Sequence, residues 1–271
     1  NGFPPGPKEL TPDENAMKGM YLDPGPGWEW LFNGRDMTGW GALRGHMCEP
    51  EPKGCGNLDP NPEVTVQNGE MIALATLPTY DANLFSEGIT NEQYQAYLND
   101  KNAPLLNHAV GSYYPPGSTY KLVTYSCALD ANLAKPAERF ATPPYLEVGG
   151  QKFYEWNKTG FGRSFTMAEG FSYSSAVVTY QLAQRIKIDR LAACGDAWGF
   201  GASTGIDLPG EVSGIVPTNQ WKIDTYGEPI YPGDVYHAGI GQGYDTVTPI
   251  QLTNAYCALI NGGSLYQPHL V

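Results

Sequence analysis

The residues most able to do chemistry lie in one string, Tyr114-Pro115-Pro116-Gly117-Ser118-Thr119-Tyr120-Lys121. A serine hydroxyl is a weak nucleophile until a neighbouring base takes its proton, and a lysine desolvated beside it can lose enough charge to serve. Two prolines set an extended approach, Gly117 permits a sharp turn, and apolar periodicity begins directly afterwards, so Ser118 is expected at a helix N-terminus. There the unpaired N–H groups and the positive end of the helix dipole favour a developing oxyanion. Lys121, three residues on, falls on the same helical face, within reach of the Ser118 hydroxyl. An ordinary capping serine followed by a solvated lysine would carry the same tetrapeptide, and the Pro-Pro-Gly approach is what favours the catalytic reading.

Other candidates are weaker. His108 and His237 fall in loops, and Asp207 and Glu211 read as turn and cap residues rather than an acid/base pair. Five cysteines (Cys48, Cys55, Cys127, Cys194 and Cys257) form no C-x-x-C pair, and an odd count leaves at least one thiol free. Cys48 and Cys55, in a Pro/Gly-rich loop with His46 and Met47, suit a loop disulfide in an oxidising compartment better than a zinc site. Cys127 and Cys194 fall on apolar helical stripes and read as core.

The elements that must position Ser118 follow from periodicity and punctuation. Residues 1–61 are rich in Pro, Gly and Trp and are expected to be irregular. Val64-Thr65-Val66-Gln67 and Met71-Ile72-Ala73-Leu74-Ala75 flank Asn68-Gly69, a β-hairpin pattern. Thr90 and Gln93 have capping-box spacing, with Tyr94, Tyr97 and Leu98 on one helical face. Apolar stripes follow at Leu122, Val123, Cys127 and Leu129; at Val178, Leu182 and Ile186; and at Leu191, Cys194 and Trp198. A last helix is marked by Thr248, Pro249 and Gln251 at its start and Asn261-Gly262-Gly263 at its stop. Residues 201–247 read as a Gly/Pro-punctuated loop region, and the whole as an α+β fold.

The composition excludes several classes. A 41% hydrophobic content in 271 residues suits a folded core. The net charge of -12 is spread along the chain, which argues against nucleic acid as a partner. No stretch reaches the roughly 18 apolar residues of a membrane span. Asn1 in place of Met, and an apolar run ending at Val271, make both ends read as cuts.

From residue 62 onward the chain resembles the class B penicillin-binding proteins, whose transpeptidase domains carry a Tyr-Pro-Pro-Gly-Ser-Thr-Phe-Lys type of segment. The likeness includes Leu77-Pro78-Thr79-Tyr80-Asp81, Leu105-Leu106-Asn107-His108, Tyr145-Leu146-Glu147-Val148-Gly149-Gly150, Gly205-Ile206-Asp207-Leu208-Pro209-Gly210-Glu211, Gly239-Ile240-Gly241-Gln242-Gly243 and Val247-Thr248-Pro249-Ile250-Gln251-Leu252. Tyr154-Glu155-Trp156-Asn157 resembles a segment near the family's cleft, with packing as its expected role. A shorter resemblance, at residues 28–40, is to the 3-keto-disaccharide hydrolases. The family implies a serine transpeptidase/β-lactamase-like fold, a helical cluster against an antiparallel sheet, in residues 62–271. It also implies a Ser-x-Asn motif opposite the nucleophile; aligned on Tyr180-Gln181-Leu182-Ala183, Ser174 takes the serine place and Ala176 stands where the amide would be. A shift by one gives Ser175-Ala176-Val177, similar to the Ser-x-Val of class D β-lactamases and β-lactam sensors, and a serine-rich helix start without a relay role stays open. The family's Lys-Thr-Gly motif would follow Val271, so the C-terminal strands of the sheet are expected to be missing.

What the resemblance implies is a peptidoglycan D,D-transpeptidase: Ser118 as nucleophile, Lys121 as base, Ser174 as proton relay, stem peptides as substrates and β-lactams as covalent inhibitors. No metal or organic cofactor is implied. Its setting would be the extracytoplasmic face of a bacterial inner membrane, among other cell-wall synthesis proteins serving cell shape or division. The alternative, favoured by Ala176, is a non-catalytic penicillin-binding scaffold or a β-lactam sensor.

Overall fold

A computed structural model describes residues 69–270, together with a strand pair in which β1 (Lys8–Glu9) runs antiparallel to β2 (Leu22–Asp23). That pair departs from a wholly irregular N-terminal segment. The tryptophan-rich stretch at 28–40, the Cys48/Cys55 loop and the first strand of the expected 64–75 hairpin lie outside the described residues.

The second half of that hairpin is not a strand. Residues 71–75 are irregular, and pairing is limited to a parallel bridge between Glu70 and His269, closed by Met71 N–H donating to the His269 carbonyl at 2.8 Å. A strand with one apolar face needs a sheet beneath it, and no described strand lies beside this one. Ile72 and Leu77 are accordingly exposed.

The helical expectations fare better. α1 (Ala82–Glu87) is followed by α2 (Asn91–Asn99), which starts on the Thr90/Gln93 capping box. The aromatic face of α2 meets α1, with Phe85 stacked on Tyr97 at 6.3 Å, and neither helix buries a residue in the core. After α3 (His108–Gly111) a 3-10 turn at Gly117–Tyr120 leads into α4 (Lys121–Asp130). Seven of the ten α4 residues are buried, because the helix is enclosed on several sides rather than along one stripe.

Two short hairpin-like pairings cap this cluster: β3 (Arg139–Phe140) with β6 (Phe165–Thr166), and β4 (Tyr145–Val148) with β5 (Gln151–Tyr154). The β4–β5 turn is Gly149-Gly150, both at positive φ, as a two-residue turn of this hand requires. These two-stranded sheets are the sheet content among the residues 69–270, so the helical cluster is present without a central antiparallel sheet.

α5 (Met167–Ser172) precedes the central helix, α6 (Ala176–Ile186), which packs on α4, on α7 (Ile188–Ala197) and on α9 (Pro232–Gly239). Gly239 allows the close approach of α9 to α6: a Cβ there would lie 2.5 Å from the Ala183 Cβ. Cys127 of α4 and Cys194 of α7 form a disulfide. Their place on apolar stripes was the reason to expect simple core residues; those same stripes face one another, which brings the sulfurs together. Cys257 is a free thiol.

The 201–247 region also departs from expectation. It contains α8 (Asn219–Tyr226), capped by the Thr218 side chain and stopped by left-handed Gly227, and then α9, which begins with Pro232. α8 escapes the periodicity test because its one buried side chain is Lys222, 1% exposed, paired with Asp234 at 2.6 Å and seated over the Tyr231 ring. A helix attached through a buried ion pair has no apolar stripe to read. α10 (Pro249–Ile260), the last helix among the described residues, starts on the expected Thr248/Gln251 capping box, and Gln251 Nε2 donates to the carbonyls of Ala202 and Ser213.

Candidate active site

Ser118 lies in the 3-10 turn, whose approach strand is tied at two points. Tyr114 and Val247 exchange backbone hydrogen bonds at 2.9 Å, and Gly117 N–H donates to the Gly241 carbonyl at 2.8 Å. Gly241 sits at φ +68, and a Cβ there would meet the Gly117 carbonyl at 2.4 Å and the Tyr120 Cβ at 2.6 Å. The second glycine of Gly239-Ile240-Gly241-Gln242-Gly243 therefore lets one chain segment lie directly against the turn that carries Ser118. Tyr256 of α10 adds a hydroxyl bond to the Thr119 carbonyl at 3.1 Å.

Lys121 opens α4 and is 3% exposed. Its Nζ donates to the Ser174 Oγ at 3.0 Å and to the Ser174 carbonyl at 2.5 Å. Both bonds run to Ser174, not to Ser118 as the spacing suggested; Ser118, Lys121 and Ser174 line one cleft. Burial pushes the Lys121 amine down from 10.5 to about 8, with the Glu155 carboxylate partly offsetting that fall.

Ser174 is held in a left-handed turn, φ +51, between α5 and α6. A non-glycine residue in that region is uncommon and tends to mark a site where geometry is set by function. Its N–H donates to the Phe171 carbonyl at 2.9 Å and the next N–H, that of Ser175, to the Gly170 carbonyl at 2.8 Å. Ser175 points the other way: it is fully buried, caps α6 through Val178 N–H at 3.2 Å, and donates its hydroxyl to Glu155 Oε2 at 2.5 Å. The cap role that sequence could assign to the serine run thus falls to Ser175, while Ser174 faces the amine.

The cleft, about 450 Å³, is lined by Ser118, Lys121 and Ser174 on its polar side. Ala176, Ile240, Tyr180, Tyr154 and Trp156 give it an apolar and aromatic wall, and Gln242 supplies an amide. Trp156 is 63% exposed, with its indole N–H on the Tyr173 carbonyl at 3.1 Å, so it is a cleft residue rather than the packing residue expected. Burial, with Glu155 nearby, pushes the Tyr180 phenol up to about 12, which keeps it protonated near neutrality.

The remaining candidates lie elsewhere. The His108 ring bonds Ser112 and the Asn102 carbonyl, and His237 packs edge-on against Phe153; neither lines the cleft. Glu211 accepts from Thr204 N–H, the Thr204 hydroxyl and Gly205 N–H, which closes the 204–211 loop, and Asp207 accepts from Leu270 N–H, which ties that loop to the segment after α10. Glu155 is the residue whose part sequence reasoning missed: it falls in the 154–157 segment expected to pack near the cleft, and only the position of α6 reveals that its carboxylate is buried against that helix start.

Residues 64–271 match the penicillin binding protein transpeptidase domain family. Over 207 residues the chain is 40% identical to the peptidoglycan D,D-transpeptidase MrdA of Escherichia coli K12, covering 76% of this chain and 32% of that protein. The penicillin-binding protein PBP2 of Helicobacter pylori, solved alone and in complex with MreC, is 37% identical with a TM-score of 0.70, covering 74% of this chain and 38% of that one. Pseudomonas aeruginosa PBP2, in complex with WCK 5153, is 35% identical with a TM-score of 0.70, covering 74% and 46%. The chain spans about a third of the length of the curated relatives it matches. The α+β fold expected from the residues is that of these neighbours.

Proposed function

Since this chain belongs to the penicillin-binding protein transpeptidase family, we propose that its cleft is the acylation centre of a peptidoglycan D,D-transpeptidase. The observation that carries this reading is the buried Lys121 amine, bonded to Ser174 in the cleft on which Ser118 opens. A lysine held near neutrality by burial is a competent base, and its neighbour hydroxyl is a competent relay.

In this reading the Ser118 Oγ attacks the carbonyl carbon of a D-Ala-D-Ala stem peptide, and the Lys121 amine takes the hydroxyl proton. The Ser118 N–H, at the start of the 3-10 turn, has no intrahelical acceptor and suits the charge that develops on the carbonyl oxygen. As the C–N bond breaks, the proton passes from Lys121 through Ser174 to the leaving D-alanine amine. An acceptor amine then attacks the Ser118 ester, forms the new amide and returns a proton to Ser118. β-Lactams acylate the same oxygen and lack a departing amine. The apolar wall at Ala176 and Ile240 receives the substrate side that an amide would otherwise bind. By the same likeness, the protein works in the cell envelope at the outer face of the inner membrane, in cell-shape maintenance beside other wall-synthesis proteins.

Incubation with a fluorescent penicillin tests this. The unsubstituted chain is expected to form a covalent adduct, and Ser118→Ala to form none. Absence of label on a folded, unsubstituted chain overturns the acylation reading. A second reading rests on Ala176: if penicillin labels Ser118 but no stem-peptide mimic is turned over, the chain is a β-lactam sensor or scaffold.

A further inference from the structure

A buried carboxylate beside the cleft is used by none of the steps above. Glu155 follows β5 directly and is 1% exposed, yet it forms no ion pair within 4 Å among the described residues. Its partners are instead a set of donors. Oε1 accepts from Trp156 N–H at 3.0 Å and Ala176 N–H at 2.8 Å; Oε2 accepts from the Ser175 hydroxyl at 2.5 Å and Val177 N–H at 3.2 Å. Three of the four donors belong to the residues that immediately follow Ser174.

The start of α6 needs such a group, because its first N–H groups have no carbonyl within the helix and lie at its positive end. Ser175 alone can satisfy one of them. Glu155 takes two more and fixes the Ser175 hydroxyl as well. With Ser175, Ala176 and Val177 fastened from below, the chain just before them must absorb the remaining turn, and it does so at Ser174 in the left-handed region. That turn is what presents both the Ser174 carbonyl and its hydroxyl to Lys121.

We propose that Glu155 is a positioning residue for acyl transfer: its carboxylate clamps the first turn of α6 so that Ser174 is held against the Lys121 amine. This rests on the transpeptidase reading, because a relay geometry is worth holding only if a proton moves through it. The carboxylate also lies close enough to oppose the loss of charge on Lys121.

Glu155→Gln is the discriminating change. Three of the four partners are backbone N–H groups that can only donate, and glutamine must turn its NH₂ toward at least one of them, so part of the clamp is lost at nearly constant volume. The acylation rate with fluorescent penicillin is expected to fall roughly tenfold or more, as for loss of a well-placed proton relay. The acid limb of its pH profile is expected to move to lower pH, since removing the negative charge makes the Lys121 amine easier to deprotonate. Fold is checked by circular dichroism. Glu155→Asp keeps the charge and shortens the reach; it is expected to slow acylation with the limb unmoved, and it serves if the glutamine variant does not fold. The Lys121 titration is also read without penicillin, from amine acetylation against pH with peptide mass analysis. A folded Glu155→Gln chain that labels at the original rate, or slows with neither limb nor titration moved, overturns the inference. A shifted titration in a protein whose unsubstituted form takes no penicillin leaves the electrostatic influence of Glu155 on Lys121 standing and removes the transpeptidase reading and the relay role with it.

Discussion

If Lys121 is the base for Ser118, the rate of acylation should follow the fraction of that amine that is neutral. An ordinary lysine, titrating at 10.5, would be neutral in about one molecule in three thousand at pH 7. With the amine lowered to about 8 by burial, the fraction is about one in ten, a gain of some 300-fold in available base. The protonated form is the inactive one, so the rate rises with pH. It should climb nearly tenfold from pH 6 to pH 7, bend near pH 8 and be level by about pH 9. The assay is the second-order rate constant for a fluorescent penicillin, taken in short exposures across pH 5.5 to 9.5. Lys121→Arg, which keeps a cation that cannot deprotonate, should label at a background rate with no rise across the range. Two results would refute the reasoning: a profile flat from pH 6 to 9, or a rise that continues unchecked past pH 9.5. The first means the proton goes elsewhere, and the second that the amine is not desolvated while the site is working.

Three further outcomes follow from the same geometry. Ser174→Ala should slow penicillin acylation by roughly a hundredfold or more with little change in melting temperature, whereas Ser175→Ala, which removes one of the four donors to Glu155 and the cap on Val178 N–H, should cost about 1–3 kcal/mol measured by urea unfolding. Gly241→Ala places a Cβ 2.4 Å from the Gly117 carbonyl at a positive φ, so it should destabilise by about 2 kcal/mol or more and abolish labelling, read by thermal melting and gel fluorescence. Reducing the Cys127–Cys194 bond, which spans 67 residues, should lower stability by up to about 4 kcal/mol, measured as a fall in the urea midpoint that the Cys127→Ala/Cys194→Ala chain reproduces without reductant.

Local chemistry made much of this protein legible in one dimension. Pro-Pro-Gly ahead of Ser118 sets the approach, and the Thr90/Gln93 and Thr248/Gln251 boxes start their helices where their spacing says they must. These features depend on neighbours within four residues, which a sequence displays directly. α8 was hidden because its anchor is a lysine buried against Asp234, and a periodicity of apolar residues cannot register an ion pair. The Cys127–Cys194 pairing was hidden because α4 and α7 are 67 residues apart along the chain and touch only after packing.

The candidate cleft divides in the same way. The sequence by itself determined the candidate reacting types, Ser118 with Lys121 one turn away, and a serine run that offered both a cap and a candidate relay. Which serine does which depends on the direction of each side chain, and that is decided by the clamp Glu155 places under α6. The lysine's readiness to lose a proton is likewise absent from its place in the string: it comes from burial between α4 and the Ser174 turn, a property of the surrounding volume. Residue identity follows the chain, whereas hydrogen-bond direction and desolvation follow the fold, so only the tertiary structure could assign Ser174 to the amine and Ser175 to the helix.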